Sequence, residues 1–348
     1  MKTKTLVSLL MVTSFLGGCA SQKHPAFNRS QLSFLSDNIR NEIRKVEKSV
    51  VGINTQVKYD IQKFDYELYH GSYILDPSSP VKYKLHATDG NAGILHETDV
   101  KTLSGGGLLI DVDQENSAYT LITSSHLVSP QDTTDVYYVD EDGVQTDLLY
   151  ARYIVTDVTI SVVGTGIWRA DASLISSDPV SDLAIIRVKT ANYVGFVFPN
   201  EVGYGLNLSW GDWVFIFGYP KGVKQMTGGW VSKAPYRGTL AVDAVVRFGF
   251  SGGPVFAVSP RDGSLSFVGV IKSVPRRMLN YITHDGTLPP GYHLKEQDVN
   301  KLLVKEDVMV EYGTAYFVAP NTIRKFFQFS RIALKRAGID LVPKYFGQ

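Results

Sequence analysis

From Gly107 onward the chain is a series of short apolar runs separated by turns rich in Gly, Asp and Ser. The runs are Gly107–Val112, Ala118–Thr123, Val136–Val139, Val158–Val163, Ala170–Ile175, Leu183–Val188, Trp213–Phe217, Gly228–Ser232, Thr239–Val245, Pro254–Val258 and Ser266–Ile271. Strands of this length at regular spacing predict an all-β barrel or sandwich. Val50–Ile53 predicts a first strand. Leu32, Leu35, Ile39, Ile43 and Val46 recur at helical spacing, with Asp37, Arg40, Asn41, Arg44 and Lys45 opposite. They predict an N-terminal helix with Ser30 as its N-cap. Tyr316–Ala319 reads as a late strand, and Pro320–Ala337 as a closing helix ended by Gly338. Two stretches break the pattern. About 54–103 carries tyrosines and turns that suggest hairpins, and about 275–307 is polar.

Composition supports a globular chain of 348 residues, 44% hydrophobic and 20% charged. A net charge of +1 gives no electrostatic footprint for nucleic acid. The first residues read as a targeting segment. Lys2 and Lys4 precede the apolar run Leu6–Phe15, and Leu16-Gly17-Gly18-Cys19 resembles a bacterial lipobox. The expected processing removes residues 1–18, lipidates Cys19 and anchors the chain to a membrane; an uncleaved short anchor is the alternative. Cleavage turns the formal charge from +1 to −1. Cys19 is the single cysteine, so no intrachain disulfide is possible. Residues 19–29 are short and polar and read as a tether. Ala20-Ser21 lack the aspartate that marks inner-membrane retention, which favours the outer membrane in a cell that has one.

Three segments carry candidate chemistry. Gly249-Phe250-Ser251-Gly252-Gly253-Pro254 places a serine among glycines, whose backbone freedom lets N–H groups converge on one point. His126 follows the apolar run Ala118–Thr123, where a rigid strand end can present a general base to a cleft. Asp182 directly precedes Leu183–Ile186, where a desolvated carboxylate requires a hydrogen-bonding partner. Asp178 competes for that role, although Asp178-Pro179 reads as a turn. Metal sites find no support. Asp111–Asn116 begins like a calcium loop but lacks its glycine and its glutamate, and His70, His86 and His96 have no ligand spacing.

The order His126, Asp182, Ser251 resembles that of the chymotrypsin-like serine peptidases, and is most similar to bacterial HtrA-type enzymes. Ser49–Ile53, Ser104–Ile110, Thr123–Val128, Ser181–Ile186, Gly218–Gly222 with Thr227–Ser232, and Asp243-Ala244 all carry the resemblance, which covers roughly Ser49 to Phe327. It implies two six-stranded β-barrels with the active site between them, flanked by an N-terminal and a C-terminal helix. The peptidase domain would span 30–338 and leave 339–348 as a C-terminal tail. It also implies Ser251 as nucleophile, His126 as general base and Asp182 as its orienting carboxylate. The N–H groups of Gly249 and Ser251 would form an oxyanion hole. Protein or peptide substrates are implied, with no metal or organic cofactor. Val245, Val246, Lys272, Ser273 and Val274 would line the substrate pocket, with a preference for a small or medium apolar residue. Phe250 departs from the family's Asn or Asp and is expected at the mouth of the cleft. Only 28 residues follow Pro320, too few for the family's PDZ peptide sensor, so the two interrupting stretches are the expected replacements. Three readings stay open: a lipid-anchored endopeptidase, a catalytically inactive binding or scaffold lipoprotein on the same fold, and a latent protease ordered by a partner.

Overall fold

The computed structural model describes residues 36–347 except 71, 88–91, 141–143, 165–168, 191–195, 285–292, 294, 296–301 and 312. The targeting segment, Cys19, the tether and Ser30 lie outside these residues.

Helix α1 (Asp37–Val46) is capped by Ser36, not Ser30: the Ser36 hydroxyl accepts the Ile39 N–H at 3.4 Å. Its C-terminal turn carries Arg44 and Lys45, as the helix dipole favours. The chain then enters β1 (Val50–Phe64), the short hairpin β2 (Leu68–Tyr69) and β3 (Ser72–Tyr73), β4 (Ile94–Asp113) and β5 (Ala118–Thr123). A one-turn helix α2 (Ser125–Val128) leads to β6 (Thr133–Val139), β7 (Gln145–Val163), β8 (Arg169–Asp178) and β9 (Leu183–Lys189). Strands β1, β4, β5, β9, β8 and β7 hydrogen-bond in that order, and β7 returns to β1, closing a six-stranded barrel with β6 on its flank. The second half supplies β10 (Trp213–Gly218), β11 (Gln225–Lys233), β12 (Thr239–Val242), β13 (Pro254–Val258) and β14 (Leu265–Ser273). A hairpin of β15 (Arg276–His284) and β16 (Leu302–Val310), then β17 (Ala315–Val318) and helix α3 (Pro320–Arg336), complete the chain. These form a second closed barrel in the order β10-β11-β12-β17-β14-β13. The architecture is all-β, with two six-stranded barrels. Closure leaves few free sheet edges in either barrel.

Both interrupting stretches are more regular than their composition suggests. In 54–103, β1 and β4 run on as paired arms from Asn54↔Ser104 to Phe64↔Ile94. Val57, Ile61 and Phe64 are buried along β1, and a small core of Phe64, Tyr66, Val81, Leu148 and Leu149 closes the far end. The polar 275–307 stretch contributes most of the β15–β16 hairpin, paired from Arg276↔Val310 to His284↔Leu302.

One large core joins the barrels. Leu108, Ile122 and Ile185 of the first pack in the same cluster as Phe215, Phe256 and Phe267 of the second. The terminal residues belong to this cluster too. Ile339, Leu341 and Tyr345 are buried, so residues 339–347 are a packed segment and not a free tail. The Tyr345 ring lies 5.2 Å from that of Phe327, and its carbonyl accepts the Tyr204 hydroxyl at 2.7 Å. Burial pushes the Tyr204 hydroxyl pKa well above the usual tyrosine value. Beside it the Lys344 ammonium donates to the carbonyls of Phe198 and Asn200 at 3.0 and 2.9 Å, while burial pulls its pKa below the usual lysine value. Tyr345→Ala opens a cavity in this shared core and is expected to cost about 3 kcal/mol in urea unfolding. A loss below about 1 kcal/mol would show that the segment is not part of the folded unit.

Candidate active site

The site is built where the two barrels meet. Strand β5 is buried almost throughout, and three consecutive hydroxyls fix its end. Thr123 donates to the Gly106 carbonyl at 2.8 Å, Ser124 to the Ile271 carbonyl at 2.9 Å, and Ser125 shares a 2.7 Å bond with Ser177. Ser124 therefore ties the first barrel to β14 of the second. The turn of α2 that follows carries His126, whose side chain is 43% exposed.

Asp182 grips this turn from below. It has φ +59, a left-handed conformation that Asp tolerates better than most residues. Its carbonyl accepts the Ser125 N–H at 3.2 Å, and Oδ1 accepts the His126 N–H at 2.9 Å. Both carboxylate oxygens also lie against His126 Nδ1, at 3.0 and 2.9 Å. The carboxylate is nearly buried, so the imidazole N–H is a partner it needs. This contact fixes the ring and directs Nε2 outward. Asp178 is occupied elsewhere: its carboxylate accepts the Val180 N–H at 3.1 Å and the Ser181 hydroxyl at 2.6 Å within its own turn. The two candidate carboxylates are thus separated by geometry.

The glycine-rich loop docks beside this pair. The Ser251 carbonyl accepts the Gly106 N–H at 2.8 Å, and the Gly252 N–H donates to the Ile271 carbonyl at 2.9 Å. Gly105 permits the approach, since a Cβ there would stand 2.4 Å from the Ser251 carbonyl oxygen. Gly249 has φ +101, and a Cβ there would meet the Pro220 Cα at 2.4 Å. Within the loop the N–H groups are used unevenly. Phe250 donates to Arg247, Gly252 to Ile271 and Gly253 to Phe250. Among the described residues, the N–H groups of Gly249 and Ser251 donate to no backbone carbonyl. The Ser251 side chain is half-buried, and no hydrogen bond links its hydroxyl to His126. Catalytic contacts of this kind are often long before substrate binds.

Phe250 is a correction to the sequence reading. It is 2% exposed and sits in the second-barrel core with Val214, Ile216 and Val255, not at the cleft mouth. Its ring occupies the space above Gly218, where a Cβ would lie 2.6 Å from it. Phe248 is the residue that faces solvent, at 75% exposure. Val246 is a second correction: it is buried in the same core, so of the valine pair only Val245 is exposed. Ser273 is exposed, whereas Lys272 and Val274 are half-buried. Tyr59, Leu103, Ser129, Gln131 and Thr134 line a cleft together with His126 and Asp182. Lys101 lies over the rings of Tyr59 and Tyr153, at 5.4 and 4.7 Å. Tyr59 and the anchoring hydroxyls were not singled out from sequence; the run Thr123-Ser124-Ser125 ahead of His126 was the available signal. Among the described residues no cluster of three His, Cys, Asp or Glu side chains is placed to hold a metal ion.

Two closed antiparallel barrels, with a carboxylate-held histidine and a serine loop at their junction, define the chymotrypsin type of architecture. Residues 104–270 match the family model described as trypsin-like peptidase domain. A Rhizobium meliloti (strain 1021) protein named "Probable periplasmic serine endoprotease DegP-like" is 28% identical over 211 residues, 53% of this chain and 40% of that protein. A Bartonella henselae protein of the same name is 30% identical over 141 residues, 38% of this chain and 27% of its own. The matched region thus spans two fifths or less of these curated relatives. Among solved structures, the HtrA-type protease AlgW with decapeptide is similar at 14% identity and a TM-score of 0.45, covering 85% of this chain and 67% of that one.

Proposed function

We propose that this protein is a serine endopeptidase of the cell envelope, acting through His126, Asp182 and Ser251. The observation that carries the reading is a carboxylate-held imidazole at the same junction as a serine loop in which two N–H groups donate to no backbone carbonyl among the described residues. His126 Nε2 takes the proton of Ser251 as its oxygen attacks a peptide carbonyl. Asp182 keeps the other ring proton on Nδ1 and stabilises the imidazolium. The N–H groups of Gly249 and Ser251 receive the oxyanion. His126 then delivers the proton to the leaving amine, and water hydrolyses the acyl-enzyme by the reverse sequence. Val245 and Val274 bound an apolar pocket for the residue whose carbonyl is attacked. A fluorophosphonate probe tests the reading: one adduct, on Ser251, is expected on the purified 20–348 protein. A latent enzyme is the second reading, favoured by the missing hydrogen bond between Ser251 and His126. It predicts labelling only when a peptide or partner is added.

The lipid anchor belongs to the same proposal. Among the described residues no helix is long and apolar enough to cross a membrane. The relatives' name contains "periplasmic", which supports an envelope location. Several acyl chains on Cys19 would hold the protein firmly, facing the outer membrane as the residues after Cys19 suggest. Cys19→Ser is expected to move the protein from the membrane pellet to the soluble fraction. Retention of the variant in the pellet would reject the lipidation reading.

A further inference from the structure

One edge of β14 is left open beside the serine loop. On its other edge, Ile271 and Ser273 pair with Phe317 and Tyr316 of β17. Towards β13 the ladder ends at Val270, opposite Pro254. The next residue is held by the loop itself: the Ile271 N–H donates to Gly253, and its carbonyl accepts from Gly252 and Ser124, each at 2.9 Å. Beyond Ile271 the Lys272–Ser273 edge has no strand partner on that side among the described residues. An extended peptide with its carbonyl at Ser251 can add along this edge, since unpaired strand edges accept peptides by main-chain hydrogen bonding.

Lys272 is a charged residue on this edge. Its ammonium reaches from the second barrel towards the turn that precedes Asp182, donating to the Val180 carbonyl at 3.2 Å. Val180 is 88% exposed, so this contact lies at the surface. Lys272 has no carboxylate partner among the ion pairs of the described residues, and Asp178, in the same turn, is already engaged. One neutral acceptor uses one of three ammonium N–H donors. A carboxylate placed there gains a charge-assisted hydrogen bond.

We propose that Lys272 selects peptides carrying Asp or Glu at the second or third residue before the cleaved bond. The proposal takes the direction of the bound peptide from the peptidase reading above, but its test needs no cleavage. In Ser251→Ala protein spanning 20–348, fluorescein-labelled peptides with Asp, Ala or Lys at those positions are titrated by fluorescence polarisation. The Asp peptide is expected to bind about tenfold tighter than the Lys peptide, with the gap narrowing in 0.5 M salt. Lys272→Met should level the series, and Lys272→Glu should invert it. Equal affinities across the series, a preference that survives Lys272→Met, or no binding of any peptide would overturn the proposal. Failure of Ser251 to take a fluorophosphonate while the charge preference holds would instead reject the catalytic reading alone.

Discussion

Ser251→Ala is expected to lower kcat/KM for peptide hydrolysis on the order of 10⁶-fold, about 8 kcal/mol of transition-state stabilisation, and to eliminate fluorophosphonate labelling. The size of the loss follows from the arrangement. His126 and Asp182 serve one proton transfer, and without the serine oxygen there is no atom for that proton to leave. The N–H groups of Gly249 and Ser251 remain and can still polarise a carbonyl, so a small residual rate over water is expected. Folding should be nearly unchanged. The loop is held by the Ser251 carbonyl on Gly106 and by the N–H of Gly252 on Ile271, and neither contact uses the side chain. Wild-type hydrolysis by the variant, in a preparation free of other proteases, would remove Ser251 from the mechanism.

Phe250→Asp is expected to abolish folding of the second barrel, and Phe250→Ala to cost about 3–5 kcal/mol. The ring is buried among Val214, Ile216 and Val255 and covers Gly218. Removing it leaves a cavity between β10 and β13, directly under the serine loop. A carboxylate in its place would be buried in an apolar core without a described partner. The family resemblance makes this test sharp, because Asn or Asp is the residue expected from that resemblance before the serine. Urea unfolding followed by tryptophan fluorescence measures both variants. A soluble Phe250→Asp protein with wild-type stability would mean that this position is not in the core.

The strands of the two barrels were legible because their runs are apolar and bounded by turn residues. Ala118–Thr123 and Pro254–Val258 match β5 and β13 to the residue. The arms of β1 and β4 were less legible. Val57, Tyr59 and Ile61 alternate with Gln56, Lys58 and Asp60, a strand pattern diluted by the polar residues that solvent-facing positions require. The β15–β16 hairpin lacks even that contrast, since a two-stranded ribbon outside the barrels need not bury one whole face. At the site, the residue types and their order singled out His126, Asp182 and Ser251. Asp178 stayed a competitor, as four residues of sequence separation say nothing about which carboxylate faces the ring.

The amino-acid sequence by itself determined the all-β class, because binary patterning sets strand positions locally, and it offered the candidate residues, because the order of His126, Asp182 and Ser251 resembles that of a known peptidase family. Only the tertiary structure decided the rest. Which side of the chain Phe250 and Val246 face depends on barrel closure. So does the packing of Tyr345 beside Tyr204, more than a hundred residues earlier in sequence. The capture of Asp182 by His126, and the reach of Lys272 to Val180, likewise join groups that no local pattern relates. Such contacts are set by the packing of two barrels against each other, and that packing is a property of the whole chain.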